Sequence, residues 1–349
     1  MRLDGRVVMQ RPAKPFTPVR FRIQPPLILY VNILLGFSMR YIVTGGSGFV
    51  GSHLVKRLHD EGKDVVVIDK ISNHSSLDSI NDLNNIRYYF ADISDPEITL
   101  KIIQKNDIVF HLAAQSHVDV SFKNPLDTTK ANVLGTQSIL NACLLKESKK
   151  LVIMSTDEVY GSVVSIENLN LLDPTNPYSA SKAAADMIAN AYRHMYKDFN
   201  FVTLRSNNIV GTGQFIRNIV PRFSCLGVLG KKMTLHGDGS STRRYLWVND
   251  AVEALLILAE QDTKQDIYNI GHDKSYTNLE VAKLIGEHLN LDDFISFEKD
   301  RVFNDSIYPC DYSSIKEELG WNFSKNLDDI LPDIVDWYKD NINYYKPYL

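Results

Sequence analysis

The chain has 349 residues, 44% hydrophobic and 23% charged, the balance of an ordinary globular protein with length for one large core or two joined ones. Arg2, Arg6, Arg11, Lys14, Arg20 and Arg22 against Asp4 give residues 1–38 a charge of +5, which leaves the body at −9 and argues against a nucleic-acid partner. Cys143, Cys225 and Cys310 have no metal-ligand spacing, so they read as reduced structural thiols and no metal is expected.

Residues 1–38 are basic and proline-rich, then apolar from Leu27 to Phe37. That run falls short of the roughly 20 residues a membrane span needs, and no membrane partner is expected. Gly36-Phe37-Ser38 lacks the small-x-small pattern of a signal cleavage site, so the expected location is cytoplasmic. The segment reads as an appendage outside the fold, with Met39 a candidate initiator; disorder or a weak membrane-surface anchor are the other readings. From Met39 the pattern becomes regular. Tyr41–Thr44 predicts a strand and Phe49–His59 the helix after it. Asp64–Asp69, Ile86–Phe90, Ile108–Leu112 and Leu151–Ser155 continue the strands, with helices at Leu126–Leu145 and Tyr178–Tyr196 and a strand at Phe201–Leu204. Such alternation predicts an α/β fold, a doubly wound parallel Rossmann sheet. After Arg205 come short strands, loops and helices at Val248–Gln261, Asn278–Leu289 and Leu327–Lys339. The expected division is an NAD-binding domain over 39–205 and a smaller mixed α/β substrate-binding domain over 206–349, some of whose segments return to the first.

Between the first strand and helix lies Gly45-Gly46-Ser47-Gly48-Phe49-Val50-Gly51. Glycines at Gly45, Gly48 and Gly51 let a chain turn tightly and approach a pyrophosphate at a helix N-terminus. Such a loop is a weak signal alone; here a strand and a helix flank it, and Asp69 ends the next strand. A carboxylate there bonds the ribose hydroxyls and repels a 2′-phosphate, which favours NAD over NADP, although Lys70 beside it softens the discrimination. Asp92 and Ile93 follow a further strand, where an acid reaches an adenine amino group or merely caps a loop. Leu112, Ala113 and Ala114 are small enough for a flat cofactor to pass close to the backbone.

Tyr178 and Lys182 stand four apart on one helix face. A phenol of ordinary pKa ~10 needs about 4 kcal/mol of phenolate stabilisation to titrate near 7. An ammonium at ~4 Å in a medium of dielectric ~20 supplies roughly that, which makes Tyr178 a candidate base. Ser155-Thr156-Asp157-Glu158 ends the strand-like run before it. A hydroxyl at 155 or 156 suffices to steady the tyrosine in a dehydrogenase. The adjacent acids are extra, and suit removal of water next to a ketone; outside this setting they would read as an exposed acidic loop.

With these motifs in place, residues 39–349 resemble the dTDP-glucose and UDP-glucose 4,6-dehydratases, within the extended short-chain dehydrogenases. The stretches that carry the resemblance are His111-Leu-Ala-Ala-Gln-Ser-His-Val-Asp119, Ser155–Gly161, Tyr178–Lys182, the pair Asn207-Asn208, His236–Gly239 with Arg243, and Tyr268–Gly271. It implies a homodimer formed by the helices at 126–145 and 178–196 as a four-helix bundle. It also implies that Tyr178, helped by Lys182 and Thr156, deprotonates the carbon-4 hydroxyl as hydride passes to NAD. Glu158 then takes the carbon-5 proton, Asp157 protonates the departing carbon-6 hydroxyl, and the hydride returns to carbon 6. Asp157 must therefore be protonated when it acts. By the same resemblance Asn208 and Arg243 hold the nucleotide diphosphate, Ser116 and Thr156 line the sugar pocket, and the product is an NDP-4-keto-6-deoxyglucose of deoxysugar or rhamnose biosynthesis.

Two positions depart from the pattern. Many relatives have Phe-Pro-Glu-Lys where this chain has Phe215-Ile216-Arg217-Asn218, and an arginine where it has Ile307, so Arg217 is a candidate replacement for a lost diphosphate contact. Leu172–Pro177 and Asp300–Asp305 are more similar to plant-type dehydratases, which favours UDP-glucose over dTDP-glucose. A UDP-hexose 4-epimerase needs no acid pair, and a UDP-glucuronate decarboxylase would place a substrate carboxylate beside two acids. A non-catalytic NAD-binding scaffold would not be expected to keep Thr156, Asp157, Glu158, Tyr178 and Lys182 together.

Overall fold

Arg40–Thr44 (β1) has no exposed side chain, because parallel neighbours flank it and helices cover both of its faces. The structure is a computed structural model that describes residues 39–71, 80, 82–161, 171–299 and 311–349. The expectations for residues 1–38 and for Asp300–Asp305, Ile307 and Cys310 lie outside these. After β1 and the helix Phe49–Asp60 (α1) come Asp64–Asp69 (β2), Arg87–Phe90 (β3), Pro96–Ile102 (α2) and Ile108–His111 (β4). Val118–Lys123 (α3), Pro125–Thr129 (α4), Gly135–Leu145 (α5), Lys150–Thr156 (β5), Pro177–Met195 (α6) and Phe201–Ser206 (β6) follow. The later part holds Asn208–Val210 (β7), Ile219–Val228 (α7), Met233–His236 (β8), Thr242–Trp247 (β9), Val248–Glu260 (α8) and Ile267–Ile270 (β10). It ends with Ser275–Thr277 (β11), Asn278–His288 (α9), Ile295–Glu298 (β12), Ser313–Leu319 (α10) and Leu327–Asp340 (α11).

Among the described residues β10-β6-β5-β4-β1-β2-β3 form a seven-stranded sheet, parallel throughout. The expected Rossmann class is what the chain adopts, and the six strand positions read from the first half all fall in this sheet. Its outermost strand, β10, comes from beyond residue 205 and pairs with β6, Tyr268 opposite Leu204. A three-stranded sheet, β11-β9-β7, stands beside a two-stranded one, β12-β8. One core lies between the large sheet and α1 and α8, with Leu54, Leu58, Leu255, Tyr268 and Trp321 buried. Another gathers α7, α9 and α11 around Phe223, Ile285, Leu331 and Tyr338.

The helix predicted over 126–145 is interrupted. Residues 130–134 make a wider turn between α4 and α5, which rotates Asn132 inward. Its amide accepts from the Gln115 N–H at 2.7 Å and donates to the Gln115 carbonyl and the Ser181 hydroxyl, so the turn ties the loop after β4 to α6.

At the foot of β1, Arg40 reaches Asp107 through Nε and Nη2 at 2.8 and 2.6 Å and caps the Ile102 carbonyl. Both side chains are buried. Asp107→Ala leaves that guanidinium unpaired in the interior, and a loss of about 3 kcal/mol in urea unfolding is expected.

Candidate active site

The parallel strands end on one edge, and the sequence-predicted residues collect there. Gly45 to Gly51 join β1 to α1, Asp69 ends β2, Asp92 and Ile93 follow β3, Leu112 to Ser116 follow β4, and Thr156 to Glu158 follow β5. Gly45 sits at φ +70°, and a Cβ there would meet the Ala113 backbone at 2.7 Å, so no larger residue fits the turn. Gly48 caps α1 without a side chain and the first turn holds no acid, which leaves its N-terminal N–H groups facing the loop. The Ser47 hydroxyl is buried there without a partner among the described residues. The Asp69 carboxylate accepts the Ser47 and Ile71 N–H groups at 3.0 and 2.9 Å, fixing it at the mouth of the loop. A helix N-terminus behind a bare loop, with an anchored acid beside it, fits a dinucleotide.

Other positions in this region do different work. Asp92 caps its own turn through the Ser94 N–H and hydroxyl, and Lys70 approaches it to 3.7 Å. Burial opposes its charge, but those bonds and Lys70 outweigh it and hold the carboxyl below its ordinary range. The Ile93 side chain belongs to the core, as does part of Val50. Ala114 and Ser116 are exposed, and Leu112 and Ala113 are half-buried. Thr44 reaches both His111 Nδ1 at 2.9 Å and the Ala113 N–H, and burial, then Lys182, push His111 down to about 3, so it is neutral.

A short turn, Asp157–Tyr160, follows β5, begun by the Thr156 hydroxyl, which accepts the Glu158 N–H at 3.3 Å. It closes at Gly161, where φ is +68° and a Cβ would stand 1.9 Å from the Asp173 carbonyl. This close crossing brings Asn176 over the turn. Asn176 caps α6 in a reciprocal bond with Ser179 and donates to Glu158 Oε2 at 3.3 Å. On α6, Tyr178, Lys182 and Asp186 follow one another at helical spacing, all buried. Asp186 accepts from the Ser155 hydroxyl at 3.0 Å and from Arg205 Nε at 2.9 Å, an ion pair beneath the site that the sequence reading missed.

Lys182 directs its ammonium to the Met154 carbonyl at 2.7 Å. Burial lowers its pKa, opposed by Asp186. The Tyr178 phenol is raised, first by burial and then by Glu158, while Thr156 acts in the opposite direction. That direction is opposite to the lowering expected from Lys182, whose ammonium is committed to a carbonyl. Asp157 is 2% exposed and burial pushes it up to about 6, against hydrogen bonds from Asn207 at 2.5 Å and Thr156 at 3.3 Å. A raised carboxyl is what proton donation requires.

Asp157 lines a cavity with Asn207, Asn208, Thr242, Arg243, Arg244 and Ser275. β7 and β9 pair here, Asn208 opposite Tyr245, so the small sheet brings Arg243 to the acid. Arg244 was not anticipated. Arg217 is exposed against the Phe215 ring and is not among the cavity-lining residues. Asn207 and Asn176 were also missed as partners of the acids; the doubled asparagine was the available signal for the first.

Fold and site together define an NAD-binding enzyme of the extended short-chain dehydrogenase type. A family model described as GDP-mannose 4,6 dehydratase matches residues 42–334. The dTDP-D-glucose 4,6-dehydratase of Dictyostelium discoideum is 35% identical, across 88% of this chain and 83% of its own length. A trifunctional UDP-glucose 4,6-dehydratase/UDP-4-keto-6-deoxy-D-glucose 3,5-epimerase/UDP-4-keto-L-rhamnose-reductase of Arabidopsis thaliana is also 35% identical over 87% of this chain, which spans 48% of that protein. Among solved structures, dTDP-glucose 4,6-dehydratase from Streptomyces venezuelae with NAD bound superposes with a TM-score of 0.82 at 31% identity, covering 88% of this chain and 99% of that one. UDP-glucose 4-epimerase from Thermotoga maritima gives 0.81 at 28%, covering 87% and 100%. The chain belongs to this 4,6-dehydratase family.

The raised Asp157 has a measurable cost. Its folded pKa lies above the unfolded value of 3.8, so stability falls as pH rises from about 4 to about 6 and is level beyond. Asp157→Asn keeps an acceptor for Asn207. It is expected to stabilise the protein at pH 7.5 by roughly 2–3 kcal/mol and to change nothing at pH 4, as read by urea unfolding at the two pH values.

Proposed function

We propose that this chain is an NDP-glucose 4,6-dehydratase that converts UDP-glucose, or dTDP-glucose, to the NDP-4-keto-6-deoxyglucose and water. The observation that carries the reading is a pair of adjacent carboxyl groups in unlike settings. Asp157 is buried and raised, whereas Glu158 is half-buried and steadied by Asn176. Acid and base are thereby distinguished at neighbouring positions.

Tyr178 takes the proton of the carbon-4 hydroxyl, with the Thr156 hydroxyl steadying the phenol. NAD, held by Gly45–Gly51 and Asp69 when bound, supplies oxidation at carbon 4 and the matching reduction at carbon 6, and its oxidised ring adds a positive charge. A ketone at carbon 4 acidifies the carbon-5 proton, which Glu158 removes and later returns. Asp157 gives its proton to the carbon-6 hydroxyl, which leaves as water. Asn208 and Arg243 bind the diphosphate, and Ser116 lines the sugar pocket. Asp69 favours NAD over NADP. The epimerase shares the fold, but its chemistry has no use for the acid pair. UDP-glucose is favoured by the Leu172–Pro177 segment. Glu158→Gln and Asp157→Asn should each lower 4-keto product formation at least about 100-fold, with bound NAD unchanged. The assay is alkaline absorbance after incubation with both nucleotide sugars in competition; full rates in either variant would refute the roles.

The substrate-binding domain is assigned to 206–349, with β10 returned to the NAD-binding domain. A homodimer is proposed through α4, α5 and α6, whose outer faces leave Leu126, Leu134, Met187 and Met195 exposed, Leu126 by 83%. Met187→Glu should reduce the light-scattering mass from two chains to one; an unchanged mass excludes this face. No helix among the described residues is long and apolar enough to cross a membrane, and the cytoplasm is the proposed location.

A further inference from the structure

Asn207 follows β6 and is 4% exposed. The His272 N–H points at its side chain, 3.1 Å from Oδ1. A backbone N–H only donates, so the atom facing it must be the amide oxygen. The NH2 group then faces Asp157 Oδ2, at 2.5 Å. An amide NH2 also only donates, so Oδ2 must accept whether Asp157 is charged or neutral. Oδ1 is the remaining oxygen, with the Thr156 hydroxyl 3.3 Å away.

We propose that Asn207 is a positioning residue for the catalytic acid: its amide, locked in one orientation by the His272 N–H, restricts the acidic proton of Asp157 to Oδ1. This rests on the dehydratase reading, in which Asp157 is the acid. The lock is stiff. Asn207 N–H bonds the Ile270 carbonyl at 3.1 Å, the Lys274 N–H donates to His272 Nδ1 at 3.0 Å, and the His272 ring packs on Phe323 with centroids 4.0 Å apart. Rotation of the amide would bring its NH2 against the His272 N–H and its oxygen against a carboxylate, leaving buried groups unmatched.

The same contact sets the acidity. Burial favours the neutral carboxyl, the Asn207 donor and then Thr156 and backbone N–H groups favour the anion, and the balance leaves Asp157 at about 6. The other groups facing it are Thr156 at the end of β5, Glu158 on its own turn, Tyr178 from α6, Asn208 from β7, Arg243 and Arg244 from β9 and Ser275 from β11.

The test uses the full chain with NAD, as Asn207→Ala and the near-isosteric Asn207→Leu. Both lose the amide donor and neither adds a charge beside Asp157, where a carboxylate would raise the midpoint by repulsion alone. The infrared carboxyl band of Asp157, identified by difference against Asp157→Asn, is titrated between pH 4 and 9. The pH profile of 4-keto product formation is recorded alongside. The expected result is a midpoint at least about one pH unit higher in both variants. The alkaline limb of kcat should move with it, and KM for UDP-glucose should change less than about threefold. An unmoved midpoint, or an even loss of kcat at every pH, overturns the proposal, since mere packing predicts either. Should Asn207→Ala fail to fold, Asn207→Leu decides alone. A wild-type protein inactive on both nucleotide sugars would refute the dehydratase reading, and the infrared midpoint would still judge the amide.

Discussion

A carboxyl group kept from water with no cation bonded to it among the described residues is the constraint around which this site is organised. Asp157 has amide and hydroxyl partners, and its charge is held in check by burial. A guanidinium in direct contact would fix the carboxylate as an anion and remove its use as an acid. A bonded buried ion pair lies one layer down, where Arg205 meets Asp186 beneath the tyrosine and lysine. Charge is thus neutralised where rigidity is needed and left unmatched where a proton must move.

The two acids depend on different parts of the chain. Glu158 is held from the near side, by the cap residue of the helix that carries Tyr178. Asp157 is held from the far side, by the asparagine at the end of β6 and, through it, by the turn after β10. The two carboxyl groups, the proposed acid and base, therefore stand next to each other in sequence while answering to separate elements, which is how they come to differ in burial.

The large sheet was legible because strands covered on both faces are nearly continuous in apolar residues, as in Val65-Val66-Val67-Ile68. The acid pair and the tyrosine–lysine spacing were legible because they are local. Two kinds of feature were not. The break at residues 130–134 leaves the helical pattern of apolar residues intact, and only the contacts of Asn132 across 17 and 49 positions explain it. The partners of the acids lie equally far off: Asn207 is 50 positions from Asp157, and its own anchor is 65 further on. The pair Asn207-Asn208 hinted at a site, yet sequence gave no reason to divide its members between carboxyl and cavity. The Met154 carbonyl that takes the Lys182 ammonium likewise carries no sequence signature.

The return of the chain to the first sheet at β10 has a consequence for biosynthesis. A nascent polypeptide ending near residue 205 holds the glycine loop, both acids, the tyrosine and the lysine, yet lacks the outermost strand and the turn behind it. Only when His272 has left the ribosome can the asparagine be oriented and the acid tuned. The chemistry of this protein is encoded early and becomes competent late.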